Sequence, residues 1–275
     1  MNRAAGCVHN VGMTGSHEVL RVERRGAAAL LTIDRPHAGN SISAEVTTAI
    51  DDALTVLESE NDVAAIVITG AGDKFFSSGG DIKQYRRLET REQLASAFER
   101  PRRLLDRLES LAAPVIAAVN GITLGGGAEL MLACDLRLAA PQARIGFPYV
   151  RLGLIPGWHG VERLVRICGP SHAMYLLATG DPVSAPEALR LGLVHRICED
   201  IAVVDAALEL ASRLAESAPL SLAATKRVLR GAVDLPRDEA RALAEQAFAD
   251  LWMSEDHREA EAAFAEKRRP VFKGR

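Results

Sequence analysis

Ala117-Ala118-Val119-Asn120-Gly121-Ile122-Thr123-Leu124-Gly125-Gly126-Gly127-Ala128-Glu129-Leu130 is the stretch that decides how this chain is read. The apolar run 115–119 predicts a buried strand and Asn120-Gly121 a turn. Three consecutive glycines then open an apolar segment, 128–134, at helical spacing. Glycines at a helix start allow close approach to the backbone. The first N–H groups of such a helix have no internal partner and carry the positive end of its dipole. That suits an anion or a developing oxyanion. Glu129 falls about half a turn into the same helix, within reach of whatever the glycines hold. A packed strand–helix junction, with Glu129 as a dipole-favoured first-turn residue, explains the same residues. A second feature has to decide between the two readings.

Phe75-Phe76-Ser77-Ser78-Gly79-Gly80-Asp81 supplies one. It is another glycine-bearing loop, and it follows another apolar, β-branched run, 63–69, that reads as a buried strand. If the two strands are neighbours, both loops open on one edge of the sheet, and the N–H groups of Gly80 and Gly126 can converge on one oxygen. Such a pair stabilises an enolate or tetrahedral oxyanion, each donor contributing roughly 3 kcal/mol to the barrier. Neither loop matches the GxxxxGK[ST] or GxGxxG pattern, which argues against nucleotide triphosphate or nicotinamide chemistry.

The rest of the chain frames these loops. Short strands are expected at 19–23 and 28–34, and a helix begins at Ser43 with Val46, Ile50, Ala53, Leu54 and Leu57 on one face. A short helix, 82–86, and a longer polar one, 91–111, precede Pro114. After a strand at 135–139 come a loop through Phe147-Pro148-Tyr149 and a third Gly/Pro-rich loop, 152–160. Short helices at 160–168, 171–179 and 185–191 and a strand at 194–198 lead to four longer helical patterns: 201–217, 220–231, 237–253 and 255–268. The shift near Asp200 from alternating elements to helix alone divides a core, 17–200, from a helical C-terminal region, 201–275. Residues 1–16, rich in small residues, read as a flexible tail that lacks the apolar stretch of a signal peptide.

Composition narrows the class. The chain has 275 residues, 48% of them hydrophobic and 25% charged, which is ordinary for a soluble globular protein. A net charge of −3 gives no electrostatic case for nucleic acid or a membrane surface. No apolar run approaches the roughly 20 residues of a membrane span. Cys7, Cys134, Cys168 and Cys198 are far apart, with no Cys-x-x-Cys pair and no histidine at metal-ligand spacing. Free thiols in a reducing compartment, a cytoplasmic location and no metal are the expectation.

Together the motifs resemble the crotonase superfamily, the enoyl-CoA hydratase/isomerase family. The resemblance rests on residues 76–83, on 114–121 leading into Leu124-Gly125-Gly126-Gly127-Ala128-Glu129-Leu130, on Ala133-Cys134-Asp135, on Leu152-Gly153-Leu154-Ile155-Pro156-Gly157, and on residues 263–268. It covers nearly all of the chain from about Val19 onward. It implies an α/β fold, a crotonase-like spiral of ββα turns with a helical C-terminal region that mediates association as a trimer or a dimer of trimers. It also implies an acyl-CoA thioester as substrate, with no separate cofactor, and a thioester oxygen between the N–H groups of Gly80 and Gly126. By motif position Lys74, Lys83 and Lys267 are the candidates to meet the CoA phosphates, Lys267 from the C-terminal helix, of this or a neighbouring subunit. Each also reads as a solvated surface charge.

One position departs from the pattern. Hydratases of the family use two glutamates; Glu129 occupies the first place, and Tyr149, in Ile145-Gly146-Phe147-Pro148-Tyr149, stands where the second is expected. A phenol with a pKa near about 10 is a poor base at neutral pH but can donate a proton. Tyr149 would then protonate Cα while Glu129 activates water. Double-bond migration, which commonly relies on the later glutamate, is disfavoured. Decarboxylation of a methylmalonyl- or ethylmalonyl-type CoA thioester needs only the oxyanion hole and one acid. Short-chain acyl-CoA decarboxylases of the superfamily resemble this sequence around residues 76–79, 125–130 and Ile155-Pro156. A non-catalytic CoA-binding oligomer is the third reading. Trp158 and His159 replace the small residues usual after Ile-Pro-Gly; Trp158 is expected to narrow or cap the acyl pocket, and His159 to shape the loop or to shuttle protons if it lines the pocket. Asp81 and Asp135, beside element boundaries, are expected to cap helices or brace loops.

Overall fold

The computed structural model describes residues 18–60 and 62–275, so the expected tail, 1–16, lies outside the described residues. In chain order the elements are β1 (Leu20–Arg25), β2 (Ala28–Ile33), α1 (Ala44–Ser59), β3 (Ala65–Gly70), β4 (Phe75–Ser77), α2 (Ile82–Tyr85), α3 (Arg91–Ser110), β5 (Val115–Val119), β6 (Ile122–Leu124), α4 (Gly126–Ala133), β7 (Leu136–Ala139), β8 (Arg144–Gly146), α5 (Gly160–Thr179), β9 (Val183–Ser184), α6 (Ala185–Arg190), β10 (Arg196–Ile197), α7 (Val203–Leu214), α8 (Pro219–Asp234), α9 (Arg237–Trp252) and α10 (Glu255–Glu266). A 3-10 turn, Pro148–Leu152, carries Tyr149. Gly169, with φ 76° and ψ 164°, breaks α5 between the two short helices expected there.

Two sheets form. The larger has the order β1-β2-β3-β5-β7-β10, all parallel except the β1–β2 hairpin. The smaller has the order β4-β6-β8-β9, parallel through β8, with β9 antiparallel at its edge. Each turn of the chain lays one strand in the large sheet, one in the small sheet, and then a helix: β3-β4 before α2 and α3, β5-β6 before α4, β7-β8 before α5. This is a spiral of ββα turns. The condition set by the two glycine loops is met twice, because β3 pairs with β5 and β4 pairs with β6.

The central strands β2, β3 and β5 are buried on both faces, which is why they read as continuous apolar runs rather than alternating ones. Ala29, Leu31, Ile66, Ile68, Val115, Ala117 and Val119 face a core shared with α1, α3 and α4. The intervening Leu30, Val67, Ile116, Ala118 and Leu138 face α7 through Val203, Ala206, Ala207 and Ala211. The composition boundary near Asp200 therefore precedes a helix that covers the sheet. Beyond it, α8 packs on α9 and α9 on α10. Lys226 ties α8 back to the core, donating to Leu108 O at 2.8 Å and pairing with Asp135 at 2.7 Å.

The strands of the small sheet were not visible in sequence. None is longer than three residues, below the length at which alternation registers, and two of them hold polar residues inward: Ser77 and Thr123 are buried. Among the described residues no helix is long and apolar enough to cross a membrane.

Candidate active site

Asparagines lock the ends of the spiral turns. Asn120, at the end of β5, donates through Nδ2 to Gly70 O (2.8 Å) and Gly72 O (2.7 Å), binding the β5 turn to the β3 turn. Asn40, held at φ 53°, donates to Ala71 O (2.9 Å) and Phe75 O (2.8 Å). The loop after β4 is then pinned by Ser78 N–H to Gly39 O (2.8 Å) and by a bridge to Ile42. In that bridge the Ile42 N–H donates to Gly79 O (2.8 Å) and the Asp81 N–H to Ile42 O (3.1 Å), which turns the N–H of Gly80 to the opposite side. Asp81 caps α2 by accepting the Lys83 N–H at 3.2 Å and pairs with Arg35 at 3.0 Å.

Gly125 adopts φ 52°, ψ −123°, a conformation a side chain would oppose, and so aims the start of α4. Gly126 is the first residue of that helix, and its N–H has no intrahelical acceptor. A Cβ built on Gly79 would lie 3.2 Å from the Gly126 nitrogen, so the two glycine loops touch. The loop that carries Gly80 and the start of α4 at Gly126 are thus in contact.

Glu129, only 1% exposed, reaches into the loop 157–160. The Tyr149 hydroxyl donates to its Oε1. The Gly157 N–H donates to Oε1 at 3.3 Å and the Trp158 N–H to Oε2 at 2.8 Å. Gly160 is so close that any side chain there would overlap the carboxylate. Burial raises the Glu129 pKa, and the Tyr149, Trp158, Gly160 and Gly157 donors oppose that rise. Burial, then the Glu129 charge, pushes Tyr149 well above 10. The proton therefore belongs to the phenol at neutral pH.

Trp158, 3% exposed, lays its six-membered ring on both glycines. A Cβ on Gly126 would fall 2.5 Å from its Cη2, and one on Gly80 3.3 Å from its Cζ2. The Tyr85 ring also crowds Gly80, at 2.6 Å from the same hypothetical carbon. Burial, aided by Asp81 and Glu129, raises the Tyr85 pKa to about 12. Phe98 stacks on Tyr85, centroids 4.8 Å apart, and packs against Gly157. The Trp158 carbonyl accepts from Arg163 (2.6 Å), a buried side chain that also pairs with Asp106 (2.6 Å) and Glu109 (2.9 Å).

Sequence reasoning missed Tyr85, Phe98 and Arg163. Tyr85 carried a signal: aromatic residues are only 4% of the chain, and this one follows the glycine loop by a single turn. Phe98 and Arg163 reach the site only through the packing of α3 on α4 and α4 on α5. His159 is placed differently from Trp158. Its backbone is left-handed, φ 64°, and its half-exposed imidazole is directed at Asp106 (3.5 Å), not at Glu129. Lys74 and Lys83 are exposed on either side of the loop that ends at Asp81, Lys74 with its ammonium 5.4 Å from the Phe75 ring centre. Lys267, also exposed, ends α10 with φ 56°. Among the described residues no cluster of His, Cys, Asp and Glu could hold a metal ion.

A two-sheet ββα spiral whose two glycine loops touch near a buried carboxylate has the architecture of the crotonase class of fold. The family model described as enoyl-CoA hydratase/isomerase matches residues 23–275. The chain is 36% identical over 248 residues to a short-chain-enoyl-CoA hydratase of Clostridium acetobutylicum, covering 90% of this chain and 95% of that one. It is 40% identical over 247 residues to a probable enoyl-CoA hydratase of Bacillus subtilis, with the same coverage of 90% and 95%. The crystal structure of an enoyl-CoA hydratase from Bacillus anthracis superposes with a TM-score of 0.89 at 32% identity, covering 94% of this chain and all of that one. The chain belongs to the enoyl-CoA hydratase/isomerase family.

Proposed function

We propose that this protein is a lyase that adds water across the double bond of a 2-enoyl-CoA thioester. The observation that carries the reading is the Tyr149–Glu129 hydrogen bond beside the Gly80 and Gly126 donors. The names of the relatives, hydratases at 36–40% identity over nine-tenths of the chain, support the same reaction. The thioester oxygen lies between the two N–H groups, which take up charge as the enolate forms. Glu129 accepts a proton from water, and the oxygen of that water bonds to C3. The electron pair of the double bond moves through C2 onto the thioester oxygen. The Tyr149 phenol delivers its proton to C2 as the carbonyl reforms, and Glu129 returns the water-derived proton to Tyr149 through their hydrogen bond. One water is consumed, and no charge remains on the protein. The phenol stands in for the second glutamate because its raised pKa keeps it protonated. The substrate itself supplies the CoA group, and the chain's own residues perform the chemistry.

Three finer assignments go with this. Lys74, Lys83 and Lys267 meet the CoA phosphates. The chain assembles as a trimer or a dimer of trimers, supported by the exposed apolar residues of α8–α10. It works in the cytoplasm. A second reading, decarboxylation of a methylmalonyl-type CoA thioester, is favoured by one observation: Tyr149, Gly157 and Trp158 already occupy Glu129, leaving its oxygens little capacity for a water. Side-by-side assays separate the two. Hydration predicts loss of the conjugated enoyl thioester absorbance with crotonyl-CoA and no CO₂ from methylmalonyl-CoA; CO₂ release with inert crotonyl-CoA would replace the first reading by the second.

A further inference from the structure

Gly157 is gripped from α3. The Phe98 ring lies 2.6 Å from where a Gly157 Cβ would go, and Arg102, one helical turn on, donates through Nε to the Gly157 carbonyl at 2.8 Å. The guanidinium also sits 5.8 Å from the Phe98 ring centre. Among the described residues Arg102 makes no ion pair, so no bonded carboxylate neutralises its charge. The carbonyl it holds belongs to the peptide joining Gly157 to Trp158, and the N–H of that same peptide is the 2.8 Å donor to Glu129 Oε2. In a trans peptide C=O and N–H point opposite ways, so Arg102 stands on one side of the group and the carboxylate on the other.

A donor on a peptide oxygen polarises the group and strengthens what its N–H donates, by about 10–30% per bond in a chain, and a charged donor is stronger than a neutral one. Glu129 is 1% exposed, so water does not screen the gain. The other titratable and charged groups around the carboxylate are Tyr149 of the 3-10 turn, Tyr85 of α2 and, across the loop 157–160, Asp106, Glu109, Arg163 and His159. Arg163 holds the next carbonyl, that of Trp158, whose peptide ends in the His159 N–H. The backbone donors to Glu129 are instead those of Gly157, Trp158 and Gly160. Arg102 is therefore the cation whose hydrogen bond leads through a single peptide to the carboxylate.

We propose that Arg102 is a positioning residue for Glu129: its cation, acting through the Gly157–Trp158 peptide, aims and strengthens the Trp158 N–H donor and so holds the carboxylate ionised. The role of Glu129 as base rests on the hydration reading above; the relay adds the residue that sets its charge state.

The test titrates Glu129 in the whole, substrate-free protein by difference infrared spectroscopy, its carboxylic acid band being assigned by loss in Glu129→Gln. The pH profile of kcat/KM with crotonyl-CoA is measured beside it. Arg102→Met keeps a stem beside Phe98 and removes the donor. The Glu129 titration should then move to higher pH by about half a unit or more, and the acid limb of kcat/KM should move with it, because the base must be ionised. Arg102→Lys, which returns a cation, should bring both back toward the wild type. Arg102→Gln carries the test if the methionine variant does not fold, with a shift in the same direction. A Glu129 titration that stays in place in these neutral variants, or kcat/KM lowered by one factor at every pH, would overturn the proposal and leave Arg102 a structural contact. A Glu129 titration that follows Arg102 in a protein inert toward crotonyl-CoA keeps the relay and rejects hydration. Hydration with a fixed Glu129 titration keeps hydration and rejects the relay.

Discussion

Glu129 is a buried carboxylate whose ionised form survives on four donors, from Tyr149, Trp158, Gly160 and Gly157, and its proton affinity should follow them. Tyr149→Phe removes the hydroxyl donor, which stabilises only the charged form. The Glu129 pKa, already raised by burial, should rise further. Because Glu129 must be ionised to accept a proton, kcat/KM falls as pH drops through that pKa. The acid limb of the wild-type profile should lie above the ordinary glutamate value of about 4.3, and in Tyr149→Phe it should move to higher pH while kcat at the plateau drops by about 10²-fold or more. An acid limb that stays in place would remove Tyr149 from the carboxylate's environment. At this scale the sequence revealed much: the spacing from the glycine triplet placed Glu129, and the shape of the motif placed Tyr149. It concealed the Gly157 and Trp158 donors, because they come from a loop 28 residues away whose path depends on α4 and α5 packing together.

The elements holding these residues are short and depend on one another. Gly126 has the Trp158 ring where a side chain would go, and Gly80 has Tyr85. Gly126→Ala should push the ring and the first turn of α4 apart, misplace one oxyanion donor and lower kcat by roughly 10²–10³-fold, with the secondary structure by circular dichroism retained. Asn120→Ala leaves Gly70 O and Gly72 O without their donor. It should cost about 2–3 kcal/mol in denaturant unfolding, and a loss within error would show that the turn holds without it. β3 and β5 were readable because strands buried on both faces are apolar throughout. β4, β6, β8 and β9 were not, since strands of two or three residues have no period to detect and gain their place from the strands beside them.

Across the whole molecule, the C-terminal helices leave apolar side chains in solvent: Leu229, Val233, Phe248, Trp252, Met253 and Phe264 are all exposed in the single chain. That much unpartnered apolar surface fits an interface between copies. Light scattering coupled to size exclusion should give three or six times the 29.5 kDa chain mass. The double variant Phe248→Glu/Phe264→Glu should shift it toward the monomer, and a monomeric wild type would refute the assembly. The helical character of this region was plain from its periodicity. What it packs on was not, because an amphipathic face looks the same whether its own core or another subunit covers it.

The hydration chemistry is tested most directly by mass spectrometry of crotonyl-CoA incubated with the protein in ¹⁸O-labelled water. The account predicts a 3-hydroxyacyl-CoA carrying one ¹⁸O at C3, formed by the wild type and reduced by about 10³-fold or more in Glu129→Gln. Unlabelled, unchanged crotonyl-CoA with the wild type, or equal labelling with Glu129→Gln, would contradict it.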